Sequence, residues 1–257
     1  MLPKLIKTAL ESNSLAHDTN VDVERNAAID LLINTFAGQM LSCDEGPAPR
    51  FCVLTSPQDL AELDAFRRRQ YQRLLPYMLP TLERDRQEGY DERSWVFAAR
   101  YNGQIIATAR MTPHPFESMD HVAPAAMHSF IGEDLQHTYV EYSRVVVSPD
   151  ITVHGLMAGM LTYAGLRMLT TTSYRKYFGY ASARVAPKFQ QFGVDTADFQ
   201  FTIPSRGDHV YTLVKGDFLH GFQLLVHRFT KGTRQRQREQ TQQGPTEAFV
   251  DMPIGMA

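Results

Sequence analysis

The stretch Tyr139-Val140-Glu141-Tyr142-Ser143-Arg144-Val145-Val146-Val147 constrains this chain more than any other. Its β-branched and aromatic residues predict a central strand, because such side chains fill a pleated surface. Pro149 ends the strand. Leu156, Met160, Tyr163, Ala164 and Met168 then recur at helical spacing and predict a helix over about 153–170. Alternation along the strand places Glu141, Ser143 and Val145 on one face and Tyr142, Arg144 and Val146 on the other. A carboxylate and a hydroxyl in an apolar strand are costly unless partnered, so Glu141 and Ser143 belong either to a strand-end salt bridge or to a functional site.

The flanking sequence extends the pattern. Phe51–Leu54 predicts a first strand, and Ser56-Pro57 offers an N-cap and first-turn proline for a helix over about 58–75. Trp95–Arg100 and Gln104–Met111, joined at Asn102-Gly103, predict a hairpin. Tyr177–Arg184 predicts the next strand, Pro187–Phe192 a short helix ending at Gly193, and Phe199–Ile203 and Val210–Lys215 two final strands. Helices crossing between neighbouring strands give a mixed α/β sheet flanked by helices over residues 51–229.

Residues 1–50 predict an N-terminal helical extension. A short segment around Leu2–Leu10 precedes a polar stretch, and then Ile29, Leu32, Ile33, Phe36 and Met40 form an apolar stripe ending near Gly38. Such a stripe is expected to dock on the core or on a second copy as a homodimer. Glu45-Gly46-Pro47-Ala48-Pro49 breaks the chain before the main fold, and the Gln- and Arg-rich residues 230–257 predict a disordered tail.

With 43% hydrophobic and 21% charged residues over 257 positions, the chain has ample material for a core. Its net charge of −2 gives no global attraction to nucleic acid or anionic membrane. Cys43 and Cys52 are too few for a disulfide framework or a metal quartet, and His114, His121 and His128 lack ligand geometry, so no metal is expected. No apolar run approaches the roughly 18 residues of a membrane span, and no signal peptide is evident, which predicts a cytoplasmic protein.

Glu141-Tyr142-Ser143-Arg144 resembles the Glu-x-Ser-Arg signature of the acyl-homoserine-lactone synthases and their N-acyl amino acid synthase relatives. Gly103 to Pro113 resembles that family's strand ending in Arg-Leu-Leu-Pro, with Arg110 at the arginine. Phe66-Arg67-Arg68-Arg69-Gln70-Tyr71 resembles its Arg-x-x-x-Phe segment, with Arg67 and Tyr71 in the two places. Tyr77 stands where the family has a tryptophan, and Glu88 and Asp91 where it has an Asp-x-x-Asp pair. The order and approximate spacing hold from about residue 60 to 150.

The resemblance implies an acetyltransferase-like (GNAT) fold and an N-acyltransferase with no tightly bound cofactor. An amine attacks a thioester only as the free base, so a carboxylate should take its proton, directly or through a water; Glu141 is the candidate. The tetrahedral oxyanion needs donors, which main-chain N–H groups at a bulge just after Ser143 and Arg144 could supply. Arg67, Arg110, Glu88 and Asp91, with Tyr71 and Tyr77, would hold the small amine acceptor.

The superfamily binds coenzyme pyrophosphate at a Gly-rich turn opening the helix after this strand. The donor site is therefore expected along Val145 and Val147 and at His154, Gly155 and Leu156. Thr152 and Met157 degrade that turn, and Phe189 replaces the superfamily's acid tyrosine four residues before Gly193. Both losses favour the acyl-phosphopantetheine of acyl-carrier protein over acyl-CoA as co-substrate. Arg144, Arg167, Arg175 and Lys176 would form the basic surface for that acidic partner, and Met157, Met160, Leu161, Met168 and Phe178 would line an acyl tunnel or plain core. The expected activity is transfer of a fatty acyl group to an amino-acid-like amine, as in quorum-sensing signal synthesis. The alternatives are an acyl-CoA-dependent N-acyltransferase and a non-catalytic ligand-binding module of the same fold.

Overall fold

Alternation along the central strands buries both of their faces, and a computed structural model shows how. It describes residues 19–43, 47–190 and 193–227, with side chains from 26 onward except those of 42 and 43. The segment around Leu2–Leu10 and the tail over 230–257 lie outside the described residues. Helix α1 (Thr19–Gly38) leads to the short strand β1 (Ser42–Cys43) and then to β2 (Arg50–Leu54). There follow α2 (Pro57–Leu74), a 3₁₀ turn (Pro76–Met78), α3 (Leu79–Gln87), β3 (Trp95–Tyr101) and β4 (Gln104–Thr112). A 3₁₀ turn (Glu117–Asp120), α4 (Pro124–Ile131) and α5 (Leu135–Thr138) precede the central strand β5 (Tyr139–Val147). Next come β6 (Val153–His154), α6 (Leu156–Thr171), β7 (Lys176–Ser182), α7 (Ala186–Phe189), β8 (Asp195–Thr196), β9 (Phe201–Thr202) and β10 (Val210–Asp217). The chain is helical again over 218–227.

Eight of the strands form one sheet in the order β2-β3-β4-β5-β7-β10-β8, with β9 beside β10, and β1 and β6 form a separate pair. All pairs are antiparallel except β5 with β7. Phe97 and Ala99 face a core beneath α1 and α6, while Val96 and Ala98 face one beneath α2 and α3. That two-residue period is what both-faces burial requires of β3. The predicted cap holds: Ser56 Oγ accepts the Asp59 N–H at 3.1 Å and the Asp59 carboxylate accepts the Ser56 N–H at 3.3 Å, a reciprocal box with Pro57 in the first turn. Asn102 and Gly103 both have positive φ, +50° and +79°, as the tight hairpin predicts.

Helix α1 joins the main core: Ile33 and Ala37 are buried and pack with Phe51, Met160 and Tyr163. The stripe is rotated from the predicted one, since Leu32 and Leu31 are exposed and Ala37 takes a core place. β1 then pairs with β6, Ser42 opposite His154 and Cys43 opposite Val153. No helix of the described residues is long and apolar enough to cross a membrane.

Candidate active site

Between Thr108 and Arg110 the β4–β5 register shifts, so that Arg144 and Val145 together oppose the single residue Ala109. Arg144 has φ +52°, the left-handed conformation of a bulged residue and a costly one for a side chain of this size. The bulge corrects the alternation read from the sequence. Tyr142, Val145 and Val147 face the core beneath α6, whereas Arg144 turns to α3 and Ser143 to Arg110. An extra residue resets the two-residue period, which no pattern of apolar spacing records.

On the other side of β5, pairing with β7 covers only Tyr139–Lys176, Val140–Tyr177 and Glu141–Phe178. At the limit of that pairing the backbones crowd: a Cβ on Gly179 would lie 2.4 Å from the Tyr142 carbonyl oxygen. Beyond it a cleft of about 340 Å³ opens. Ser143, Arg144 and Val145 form one wall, Ala181, Ser182 and Val185 another, and Tyr71, Tyr77 and Phe189 also line it. Tyr77 lies against His209, with ring centroids 4.0 Å apart. Burial raises the Tyr77 hydroxyl pKa, so it stays protonated at neutral pH.

Beside the cleft lies a buried cluster of charges. Arg144 is held by Asp85 through two contacts, Nε–Oδ2 at 2.6 Å and Nη2–Oδ1 at 2.8 Å. Arg110 reaches Asp85 at 3.1 Å and Asp91 at 3.4 Å through Nη1, and its Nε donates to Ser143 Oγ at 3.2 Å. Arg67 grips both Asp91 oxygens at 2.9 Å, while its Nε and Nη2 are buried without a hydrogen-bond partner. The hub is Glu117, whose carboxylate meets Arg84 at 2.8 Å, Arg110 at 3.0 Å, Arg144 at 2.8 Å and Arg206 at 3.2 Å, and accepts the Tyr180 hydroxyl at 3.0 Å. Burial alone would raise its pKa, but Arg144, Arg110 and Arg206 outweigh it and hold the group well below the usual carboxylate range. Asp91 is likewise lowered, Arg67 and Arg110 overcoming its burial.

Glu141 behaves oppositely. It is fully buried, and its oxygens accept the main-chain N–H groups of Glu117 at 2.6 Å and Ser118 at 3.1 Å. Burial first, and then the neighbouring Glu117 charge, push its carboxyl up to about 7. It does not line the cleft, so a proton reaches it only through the cluster or a water.

The structure thus brings together Arg67, Asp91, Arg110, Glu141, Ser143 and Arg144, with Tyr71 and Tyr77 at the cleft. Glu88 is not among them: it is exposed just past the end of α3, and Asp85, three residues earlier, is the buried acid. In the sequence, Asp85 is flanked by Arg84 and Arg86 and reads as a solvated helix face. Glu117 and Arg206 each lie in a polar turn, with no periodicity to mark them inward.

Of the donor residues, Val145 lines the cleft, whereas Val147, His154, Gly155 and Leu156 do not. Leu156 is core, and His154 is paired to Ser42 through β6. Gly155 has φ +79°, and a Cβ there would lie 2.1 Å from the Met40 carbonyl oxygen, so the N-terminal segment approaches the turn where a phosphate was expected. Of the expected tunnel residues, Leu161 lines the cleft, while Met160, Met168 and Phe178 are plain core. Arg144 is committed to Asp85 and Glu117, and Arg167 lies near Asp30, so neither offers a free basic surface.

No family model matches the chain, and no curated protein does. Among solved structures it is similar to FeeM, an N-acyl amino acid synthase from uncultured soil microbes. The identity is 10%, the match covers 68% of this chain and 94% of that one, and the TM-score is 0.52. It is also similar to BjaI, a CoA-dependent acyl-homoserine lactone synthase, at 14% identity over 71% of this chain and 90% of that one, TM-score 0.46. An acyl-CoA N-acyltransferase from Pseudomonas aeruginosa matches at 14% identity over 65% of this chain and 99% of that one, TM-score 0.45. The likeness to FeeM is one of fold, and with the sheet order and the central bulge described above it identifies the chain as having an acetyltransferase-like α/β fold, as the sequence resemblance implied.

Proposed function

We propose that the protein is an N-acyltransferase that moves a fatty acyl group from a thioester to the amine of an amino-acid-like acceptor. The observation that carries this reading is the cleft between β5 and β7, whose wall is the bulge Ser143–Val145 and whose flank is the charged cluster. An apolar cleft suits an acyl chain, and fixed charges beside it suit an acceptor bearing both an ammonium and a carboxylate. In the reaction the amine nitrogen bonds to the thioester carbonyl carbon and the C–S bond breaks, the thiol leaving with a proton. Glu141, with its raised pKa, is the proton acceptor through a water, and main-chain N–H groups at the bulge face the oxyanion.

Acyl-carrier protein is the donor in this reading. Support comes from the turn at Gly155, which the chain's own Met40 approaches closely, leaving it less open to a coenzyme pyrophosphate. The product would be an N-acyl amino acid or an acyl-homoserine-lactone-type signal, made in the cytoplasm. Purified full-length protein given acyl-carrier-protein and CoA thioesters, with amino acids or S-adenosylmethionine as acceptors, tests the reading by thiol release and mass spectrometry. No thiol release from either donor with any acceptor would favour a ligand-binding module of the same fold; equal rates with both donors would remove the carrier-protein assignment.

A further inference from the structure

Glu141 is buried beside an arginine-rich cluster, yet among the described residues it forms no ion pair. Both of its oxygens accept main-chain N–H groups instead, Oε2 from Glu117 at 2.6 Å and Oε1 from Ser118 at 3.1 Å. The guanidinium groups nearest at hand are held elsewhere. Arg110 and Arg144 both contact Glu117 Oε2, at 3.0 Å and 2.8 Å, and Arg206 contacts its Oε1 at 3.2 Å. One residue therefore does two things: its backbone binds Glu141, and its side chain gathers the cations.

We propose that Glu117 is a positioning residue for Glu141, fixing that carboxylate through its main-chain N–H while drawing the arginines to itself, so that Glu141 remains the carboxylate of the cluster free to bind and release a proton. The groups facing Glu141 from the elements around it are Arg110 on β4, Glu117 and Ser118 on the 3₁₀ turn, and Tyr180 on β7. Burial is the largest effect against the charged form of Glu141; of these groups, Glu117 adds to it and Arg110 opposes it. Only the last link, from proton uptake to turnover, rests on the acyl-transfer reading.

The test uses the full chain with ¹³C-labelled glutamate carboxyls, the Glu141 signal being identified by its loss in Glu141→Gln. Glu117→Gln keeps the main-chain N–H and removes the charge, so the Glu141 titration should move to lower pH, with proton affinity falling about tenfold or more. The acid limb of kcat/KM should move with it, a shift that a merely structural role for Glu117 would not produce. Because the arginines lose their counter-charge, the double variant Glu117→Gln, Arg206→Leu removes one cation together with the anion and should show the same shift. An unmoved Glu141 titration in either folded variant overturns the proposal. So does a wild-type Glu141 that titrates with the exposed carboxylates, and that result needs no variant to fold. If the titration moves as expected but no thioester is consumed even by the wild type, the acyl-transfer reading fails and the positioning role stands.

Discussion

Asn34 of α1 binds both main-chain groups of Phe51 on the outermost strand, its Oδ1 accepting the N–H at 2.7 Å and its Nδ2 donating to the carbonyl at 2.9 Å. An edge strand presents unpaired backbone groups, and one amide side chain here serves as the missing neighbour. Asn34→Ala should therefore cost about 1–3 kcal/mol, the usual penalty for stranding partly buried polar groups. Urea denaturation measures it; an unchanged midpoint would mean that α1 does not secure this edge. Removing residues 1–45 should cost more, because Ile33 and Ala37 leave the core as well.

Asp85 and Glu88 make opposite predictions. Asp85→Asn leaves Arg144 buried without its bidentate partner and should destabilise the fold by roughly 3–5 kcal/mol. Glu88→Gln, at an exposed position, should stay within about 0.5 kcal/mol of the wild type. Thermal melts of the two variants decide which acid belongs to the cluster, and similar losses in both would restore Glu88.

Glu141 should leave a mark on stability as a function of pH. Its carboxyl holds a proton up to about 7 in the fold, whereas in the unfolded chain it ionises in the ordinary carboxylate range. Stability contributed by that bound proton is full below the ordinary range and lost as pH rises through the folded value. Glu117 runs the other way: its contribution is present above the ordinary range and is lost as pH falls through its own depressed value. Glu141→Gln should therefore gain on the wild type between pH 5 and pH 8, by up to about 3 kcal/mol. Denaturation series at those pH values check this, and a constant difference would contradict the raised carboxyl.

Gly179 supports a prediction about the cleft. A methyl group there would press on the Tyr142 carbonyl where β5 and β7 begin to part. Gly179→Ala should lower Tm by several degrees, because backbone rather than a flexible side chain must yield. A variant as stable as the wild type would show that the strands can separate further at no cost.

Much of this architecture was legible in the sequence because it follows from periodicity. β3, β4, β5 and α6 appear within a few residues of their predicted bounds, since burial on a strand or helix leaves a repeating apolar trace. Of the site, Arg110, Ser143 and Arg144 were legible on those elements, and Arg67, Tyr71, Tyr77 and Asp91 through the family resemblance. Asp85 was missed because its inward direction depends on a tertiary partner, Arg144, fifty-nine residues away. Glu117 was missed because a 3₁₀ turn carries no pattern that tells a buried carboxylate from a solvated one. The bulge at Arg144 inverted a face assignment for the same reason: its cause lies in the neighbouring strand.

The parting of β5 and β7 has a consequence for backbone exchange with solvent. Beyond Glu141 and Phe178 the two strands share no ladder, so the sheet consists of two hydrogen-bonded blocks joined by three residue pairs. Amides of 142–147 that point toward β7 should exchange their hydrogens quickly for deuterium while the cleft is empty, and those facing β4 slowly. If the proposed acyl-transfer reading holds, a donor's amide-bearing pantetheine arm between the strands would supply the absent neighbour, completing the sheet with atoms that are not protein. Bound donor would then be visible as a protected row of amides on one side of β5 alone.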